Sequence, residues 1–576
     1  LRQVRLDDAG SAINRDCLVP RPGGRFTFGR LIDSRGTLVG ISNGRGGAGN
    51  LTVTGRLPKT WSGLSWRAQT SYQRLGALDS PEYVLDNTAR EDLGYSGAVG
   101  YRAGPFEVDL SGRGYESTYG LFTEIRDTNL EDFLEAARSL RPRAVELYRF
   151  DYDFDRPFVR VVHRQAKLNL RSKLSKDWSA EGFYAFQDND RREFDSVRGP
   201  LEDSAQGSFR LQTHLVDLHV EGDIGPFRLE PGVSFNAQIN DYEGEPFLAD
   251  YERLAFGAYA IGRFATGAWD FEAGARVDVE HYDALLPGRN QTLPDIARDL
   301  DYASFLFTVG ASRELSPEWT LKALVASATR NPAPNELFAD GPSVGVASLQ
   351  VGDPDLEVET TYNAQISVAH RSARMSLEVL AYGHWIPNYI FLAPDIREDG
   401  TIVTRDSAKG PLPVFAFRQV DAAYVGLDAD LDVKLTEWLS LRTSGSIVRA
   451  RDLENDRPLV YVPSDALRNR ITVSDRQIGP LRSPYLWAES QVVLQQTIFS
   501  TTTDFVEPPP SYHLFHAGLG TQLFVGGAPV SIDVEVRNIT NERYREYLSR
   551  LRYYADEPGF SGFIRLGVPF EATFQQ

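Results

Sequence analysis

The sequence predicts an all-β protein: a transmembrane antiparallel up-and-down β-barrel of about 22 strands, with short periplasmic turns and long extracellular loops. Three observations support this. Many segments alternate apolar and polar residues over about ten positions, and the connections between them are alternately short and long. The composition, with 49 Gly, 25 Tyr and 32 Phe against one Met and one Cys, is typical of strands, turns and aromatic surfaces.

The alternation is clearest in residues 271–280 (FEAGARVDVE) and 426–435 (GLDADLDVKL). In the second segment Asp428, Asp430 and Asp432 share one face, and leucines, valine and alanine share the other. We expect lipid on the apolar face and a wide, water-filled lumen on the charged face.

The alternative is a soluble sandwich or propeller. Sandwich strands average about 5 to 6 residues, whereas crossing a bilayer takes about 9 to 11, and no blade-like repeat is visible.

Short connections rich in Gly, Pro and polar residues begin near positions 102, 222, 265, 315, 371, 436 and 525, and we assign them to the periplasmic rim. Long polar connections are assigned to the extracellular side. They cover approximately residues 77–93, 119–156, 192–206, 283–299, 331–356, 386–413, 451–465 and 540–560. The first strand is expected near residues 36–43 and the last near residues 561–570.

One extracellular loop is predicted to contain a helix. In TNLEDFLEAARSLRP, which begins at Thr128, apolar residues recur at helical spacing and Pro142 marks the end. We expect this helix to pack over the barrel mouth. A helix that binds a cofactor or a partner is the alternative.

Composition excludes several function classes. A net charge of −18 argues against nucleic-acid binding, which needs clustered Lys and Arg. No stretch approaches the ~18 apolar residues of a membrane helix, and the lone Cys17 cannot form an internal disulfide.

His214 and His219, like His513 and His516, are an odd number of residues apart and face opposite sides of a strand. We therefore expect no metal site and no cofactor, and since no catalytic triad is singled out, no enzyme activity.

Two segments, ATRNPAPNELFADG from Ala328 and VGDPDLEVET from Val351, resemble the paired motif in the barrels of TonB-dependent outer-membrane receptors. The family pattern is Arg-x-Pro…Glu-Leu-Phe/Tyr, a variable loop, then Gly-Asp/Asn-Pro-x-Leu…Glu. It falls on Arg330, Pro332, Glu336, Leu337, Phe338, Gly352, Asp353, Pro354, Leu356 and Glu359. Segments beginning at 41, 63, 83 and 413 resemble the same family, especially its Bacteroidota-like members, and the segment from Val536 is similar to the family's closing hairpin. The resemblance therefore covers almost the whole chain from about residue 36.

The resemblance implies a bacterial outer-membrane barrel closed by an N-terminal plug domain that engages the TonB complex. Residues 1–20 carry no recognisable plug signature, so we assign them to a lead-in or plug remnant and residues 21–576 to the barrel. The implied function is energy-coupled uptake of a scarce nutrient, such as a ferric siderophore or other metal complex. The alternative is a plugless scaffold barrel in a multi-protein outer-membrane complex.

The implied partners are outer-membrane lipid and lipopolysaccharide, the TonB complex through a plug not seen in this sequence, and a small-molecule cargo. A separate plug chain or other complex subunits are further possible partners, and no nucleic acid is expected.

Candidate cargo contacts lie in and after the paired motif. Some haem- and metal-uptake relatives carry His between the two halves of the motif, where this chain has Pro342 and Ser343. Haem and bare zinc are therefore disfavoured as the cargo. The residues with side-chain oxygens in this region are better explained as turn caps than as cargo ligands, and the aromatic residues of HWIPNYIFLAP are better explained as an interfacial belt. The predicted substrate contacts are Asn335, Glu336, Asp340, Ser343, Asp353, Trp385 and Tyr389.

Overall fold

The computed structural model describes residues 32–572, apart from 58–62, 123–129, 140, 196–203, 245–246, 287–295, 344–347, 398, 400, 408–409, 501–503 and 505. Within this part, the chain forms a closed antiparallel barrel of 22 strands, which confirms the predicted fold class. The predicted lead-in at residues 1–20 lies outside the described residues.

The barrel strands are numbered in chain order from β1 to β22. They are β1 Ile32–Ile41, β2 Gly46–Arg56, β3 Leu64–Leu75, β4 Arg90–Ala103, β5 Phe106–Gly120, β6 Phe158–Lys173, β7 Trp178–Phe194, β8 Gly207–Ile224, β9 Phe227–Gly244, β10 Asp250–Thr266, β11 Trp269–Leu286, β12 Ile296–Glu314, β13 Trp319–Arg330, β14 Glu359–Arg371, β15 Met375–Pro394, β16 Gly410–Lys434, β17 Leu439–Asp452, β18 Ala466–Ser474, β19 Leu481–Val493, β20 Tyr512–Val525, β21 Ala528–Arg537 and β22 Ser561–Ala572.

Each barrel strand pairs with the next along the chain, and β1 pairs antiparallel with β22. That pairing runs from Ile32↔Ala572 to Ile41↔Phe563 and closes the cylinder. Both terminal strands lie close to their predicted positions. A closed sheet leaves no unpaired edge of backbone N–H and C=O groups toward hydrocarbon, which is a requirement for a membrane-spanning sheet.

Alternation along the strands separates an apolar outer face from a polar inner face. On β11, Val277 and Val279 are exposed on the outside, while Arg276 on the inside pairs with Asp278 at 2.6 Å. On β16, Leu427 is exposed outward, and the Asp428 carboxylate accepts a hydrogen bond of 2.6 Å from Ser446 on the other face. The carboxylates of residues 428–432 therefore line the lumen, as the sequence predicted.

Aromatic residues next to the periplasmic turns form a row on the outer surface. Phe227, Phe264, Phe271 and Trp269 follow one another with ring centroids 5.1, 6.3 and 5.6 Å apart. The turns beside them contain Gly225 and Gly267 at positive φ (60° and 59°), a conformation that residues with a Cβ rarely adopt. This row has the composition and position of an interfacial aromatic belt.

The long connections meet at the rim opposite the short turns, as predicted, with three differences. A short connection between Gly244 and Asp250, which was not predicted, joins β9 to β10 at this rim. Residues 42–45 form a tight turn at the extracellular rim between β1 and β2. Residues 494–511, of which 494–500, 504 and 506–511 are described, connect β19 to β20; the sequence analysis did not identify this long connection, because its threonines are also typical of strands.

Among the described residues of the extracellular loops, the chain forms two helices, two 3₁₀ turns and several short strands. The helices are α1 Leu130–Arg138, which confirms the predicted loop helix, and α2 Pro334–Phe338; the 3₁₀ turns are Val145–Leu147 and Arg550–Tyr553. The short strands there are Leu78–Asp79, Val84–Leu85, Asp340–Ser343, Ser348–Val351, Thr404–Ser407 and Arg457–Pro458; a further one, Gln477–Ile478, lies at a periplasmic turn. No helix in the described part of the chain has the length and apolarity to cross a membrane.

Candidate functional site at the barrel mouth

The two halves of the paired motif fold onto each other at the extracellular rim, and we call the described residues of 330–359 the signature turn. Arg330, the last residue of β13, donates from Nη1 to Glu336 Oε2 (2.6 Å) and from Nη2 to Glu359 Oε2 (2.9 Å). Glu336 Oε2 also accepts from the backbone N–H of Ala333 (2.7 Å), and Glu359 Oε2 accepts from Ile390 N–H (2.8 Å). One guanidinium and two carboxylates thus connect β13, α2, β14 and β15.

The backbone contacts of Gly352 show why the motif requires a glycine at this position. Its N–H donates to the Ala339 carbonyl at 2.6 Å, and the next residue, Asp353, donates its N–H to the Glu336 carbonyl at 2.8 Å. A Cβ on Gly352 would lie 2.6 Å from the Leu337 carbonyl carbon, closer than any real contact. The backbones of the two halves can approach this closely only with glycine at this position.

The apolar residues of the motif attach the turn to the inner wall of the barrel. Leu337, Phe338 and Leu356 are buried in one cluster with Tyr251 of β10 and Tyr282 of β11. Since these tyrosines project from the lumen side of their strands, the signature turn folds inward over the mouth. In this chain, the apolar residues of the motif therefore anchor the turn to the barrel wall.

The structure places five of the predicted substrate contacts in the signature turn. Glu336 is occupied by the bonds described above, and Asp353 Oδ1 accepts from the N–H of Asp355 (2.9 Å), which is a turn-capping role. Asp340 Oδ1 accepts from Arg405 Nη1 at 2.6 Å, and Ser343 lies on a short hairpin. Asn335 has an exposed side chain.

The other two predicted contacts lie apart from the turn and from each other. Trp385 is 49% exposed and stacks on Tyr362 (5.3 Å), on the same outer face as Ile366. About ten residues from its periplasmic end, a strand reaches the outer membrane interface, so Trp385 is positioned for an aromatic belt. Tyr389 lies beyond a register shift in β15, and its hydroxyl accepts a hydrogen bond of 3.1 Å from the Tyr424 hydroxyl at the mouth.

A pocket of about 370 Å³ lies beneath the signature turn on the inner face of β9 to β12, and we call it the wall pocket. Its polar lining comprises Ser234, Asn236, Arg253, Arg276, Asp278, Glu280, Tyr282, Ser304, Thr329, Arg330 and Asn331. The sequence analysis did not single these residues out, because alternation identifies a lumen face and cannot show which strands meet under a loop. The signal that was present is the inward row of charges within residues 271–280.

The family of the chain follows from comparison with known proteins. The family model for the TonB-dependent receptor-like β-barrel matches residues 84–539. The chain belongs to the family of TonB-dependent receptor β-barrels. Membership implies an outer-membrane location and interaction with TonB and a cargo, and the family is one of receptors and transporters. The resemblance inferred from the paired motif is confirmed.

Solved structures of transporters and receptors share the fold. The copper transporter OprC aligns with a TM-score of 0.72 at 15% identity, over 94% of this chain and 81% of that one. The FrpB iron transporter from Neisseria meningitidis (F5-1 variant) aligns with 0.69 at 11% identity, over 94% and 83%. BauA, the ferric preacinetobactin receptor from Acinetobacter baumannii, aligns with 0.68 at 13% identity, over 94% and 80%. At these low sequence identities, the structural similarity is evidence for a shared fold only.

Outside the membrane, this TonB-dependent receptor barrel carries a packed cluster of loops, which we call the loop cap. Its buried residues are Tyr83, Leu85, Phe122, Ala136, Ala137, Tyr553, Tyr554 and Ala555. Two of these belong to α1, so the predicted loop helix packs on the mouth loops. Burial raises the pKa of Tyr83 to about 12, and its hydroxyl accepts from the N–H of Asp556 (2.8 Å).

A buried ion pair joins two loops within the cap. The side chains of Arg552 and Asp504 are each 1% exposed, and Arg552 Nη2 donates to Asp504 Oδ2 at 2.8 Å. The Tyr553 hydroxyl donates to Asp504 Oδ1 at 2.9 Å, and the rings of Tyr547 and Tyr553 contact the guanidinium with centroids 4.6 and 4.3 Å away. The pair connects the 494–511 loop to the 538–560 loop.

Histidines are dispersed over the receptor barrel. His214 contacts the Phe186 ring in a tilted arrangement (centroids 5.0 Å apart) and bonds to the Tyr184 hydroxyl (2.8 Å), while His219 bonds to Asp217 (3.1 Å). The two lie on opposite faces of β8, as their spacing predicted. Among the described residues, no group of three or more His, Cys, Asp or Glu side chains is placed to hold a metal ion.

Proposed function

We propose that this chain is the membrane-spanning barrel of a receptor that takes up a scarce nutrient, such as a ferric siderophore or another metal complex, by TonB-dependent energy coupling. The observation that carries the proposal is family membership over residues 84–539 together with a closed barrel and a mouth built on the family's paired motif. The extracellular loops would capture the cargo, and the lumen would be its path.

The lumen has the chemistry of a hydrated path. Its walls carry ion pairs at intervals, among them Arg253–Glu280, Arg276–Asp278 and Arg470–Glu489. These pairs keep their parts of the inner face polar and hydrated without adding net charge there. A plug that engages TonB would supply both closure and release.

We assign the first contacts with cargo to the signature turn and its neighbours. Asn335 is exposed there, and Asp340, Ser343, Asp353 and Tyr389 surround the same mouth. These remain predicted contacts. Glu336 and Trp385 are weaker candidates, since the first is engaged by Arg330 and the second faces outward. Contact with lipopolysaccharide around the outer rim also remains a prediction.

The test is an uptake assay in the native bacterium. Cells with and without this protein are given radioactive iron or copper bound to each of a panel of siderophores and chelators, and accumulation is measured. We expect at least one complex to accumulate only in cells that contain the protein, and the accumulation to stop when a protonophore removes the energy source.

Two results would contradict the proposal. One is equal accumulation of every complex with and without the protein. The other is purification of the chain as a stoichiometric subunit of an outer-membrane complex that assembles wrongly without it, which would support the scaffold alternative.

A further inference from the structure

Three polar side chains form a row on the lipid-facing surface of β17, β18 and β19, and we call them the polar row. Thr443 lies directly opposite Asn469, and Asn469 lies directly opposite Ser490. Leu467 and Ile471, two residues before and after Asn469, share its outer face and are 45% and 51% exposed. The polar row therefore faces hydrocarbon and not the lumen.

The polar row crosses the apolar band of the outer surface and does not mark its edge. Apolar residues also lie on both sides of the row on the outer face of the two neighbouring strands: Leu441 and Ile447 on β17, and Leu486 and Val492 on β19. Hydrocarbon chains have no hydrogen-bond donors or acceptors, so polar side chains at this depth need partners from protein.

The hydrogen bonds of the polar row leave one group unpaired. Thr443 Oγ1 donates to Asn469 Oδ1 at 3.0 Å, and Ser490 Oγ lies at hydrogen-bond distance, 2.7 Å, from His513 Nε2. Among the described residues, the amide nitrogen of Asn469 donates no hydrogen bond. An N–H group that faces hydrocarbon without an acceptor is unfavourable, and acyl chains offer none. The arrangement indicates that a protein surface with an acceptor covers this face.

We propose that the covering surface is a second copy of this chain, and that the outer faces of β17 to β19 form a twofold dimer interface in the membrane. A second copy in the same membrane carries its own Asn469 at the same depth. A carboxamide both donates and accepts, and its oxygen has two lone pairs, of which Thr443 uses one. Two Asn469 side chains next to a twofold axis can therefore satisfy each other's free groups.

The residues around the polar row allow close approach of a second barrel. Gly445 lies opposite Leu467 and Ala488 lies opposite Ile471, so both small residues flank the row on the outer face. Small residues let two backbones come near enough for side-chain hydrogen bonds within the membrane. An interface on the outside of the barrel leaves the lumen unobstructed.

The test is cysteine cross-linking of the full-length protein in native outer membranes. Cys17→Ser removes the native thiol, and Leu467→Cys then places a single cysteine beside Asn469. Ala364→Cys is the matched control, because Ala364 is exposed on the outer face of β14, seven residues from the periplasmic end of its strand, as Leu467 is on β18. With a short bis-maleimide, we expect a product of twice the monomer mass from Leu467→Cys and none from Ala364→Cys.

Asn469→Leu, added to the Leu467→Cys protein, tests the amide itself and should lower the cross-linked fraction about three- to tenfold. The mobility difference between unheated and heated samples in SDS checks that this variant folds, and Asn469→Ala takes its place if it does not. Absence of a dimer from Leu467→Cys, an equal yield from Ala364→Cys, a product that contains another protein, or an unchanged yield in Asn469→Leu would overturn the inference. Uptake has a separate readout, so the receptor proposal stands or falls independently.

Discussion

At the scale of single residues, the family motif is a set of backbone and charge constraints. Arg330 is held by two carboxylates, and Gly352 allows two backbone segments to touch. The sequence alone located these residues, because their order and spacing resemble a known pattern. It could not show that Glu336 is occupied internally, since its partners Arg330 and Ala333 are fixed only when the turn closes.

Gly352→Ala tests the backbone constraint. The new Cβ would meet the Leu337 carbonyl carbon and oxygen at 2.6 and 2.7 Å, and backbone atoms cannot rotate away. We expect a loss of about 1 to 3 kcal/mol in the stability of the turn, seen as faster proteolysis of the 331–358 loop. Gly97→Ala is the control, because its Cβ would lie 4.0 Å from the Arg67 carbonyl oxygen. Equal cleavage rates for both variants would contradict this account.

Asp504→Asn tests the buried ion pair of the loop cap. It leaves the Arg552 guanidinium, 1% exposed, without a carboxylate, and breaking a buried pair from one side costs about 3 to 5 kcal/mol. The expected result is increased hydrogen exchange in residues 538–560 with the barrel strands unaffected. Asp456→Asn, which breaks an exposed pair with Arg451, should cost about 0 to 1 kcal/mol and change nothing measurable. Unchanged hydrogen exchange in Asp504→Asn would show that this ion pair does not stabilise the loop cap.

At the scale of elements, strands and α1 were predictable because their periods of two and 3.6 are local properties of the chain. The 494–511 loop was missed, since its β-branched residues favour strands and its packing partner, Arg552, lies 48 residues away from Asp504. The wall pocket was missed for the same physical reason. Its lining comes from six neighbouring strands, β8 to β13, and only the pairing and curvature of the sheet bring Asn236 and Asn331 to one place.

The loop cap is expected to respond to pH through Glu557. Burial raises the pKa of Glu557, and its Oε1 is inaccessible and unpaired among the described residues. A raised pKa in the folded state means that the stabilising contribution is complete below the ordinary Glu pKa of about 4.3 and is lost as the pH rises through the higher value. The rate of hydrogen exchange in residues 538–560 should therefore increase with pH more steeply than the intrinsic exchange rate does. Glu557→Gln should abolish this excess, and a persistent excess in that variant would assign it to another group.

At the scale of the whole molecule, one cylinder separates two solvents. Closure between β1 and β22 satisfies the sheet edge, the outer face presents residues such as Leu427 and Val277, and the inner face presents paired charges. The sequence predicted this separation from alternation alone, because lipid outside and water inside impose the same period on every strand.

A charge on the outer face should therefore block membrane assembly, whereas the same charge on the inner face should not. Val277 is 50% exposed in the lipid-facing band of β11, and Val277→Arg is expected to cost about 2 to 4 kcal/mol in a bilayer. Asp430→Arg, on the water-filled side of β16, is the matched variant and should fold as the unmodified protein does. The measurement is the fraction that refolds into lipid vesicles, read from the gel mobility difference between unheated and heated samples in SDS. Equal refolding of the two variants, or a folded monomer in buffer without detergent, would refute a lipid-facing exterior.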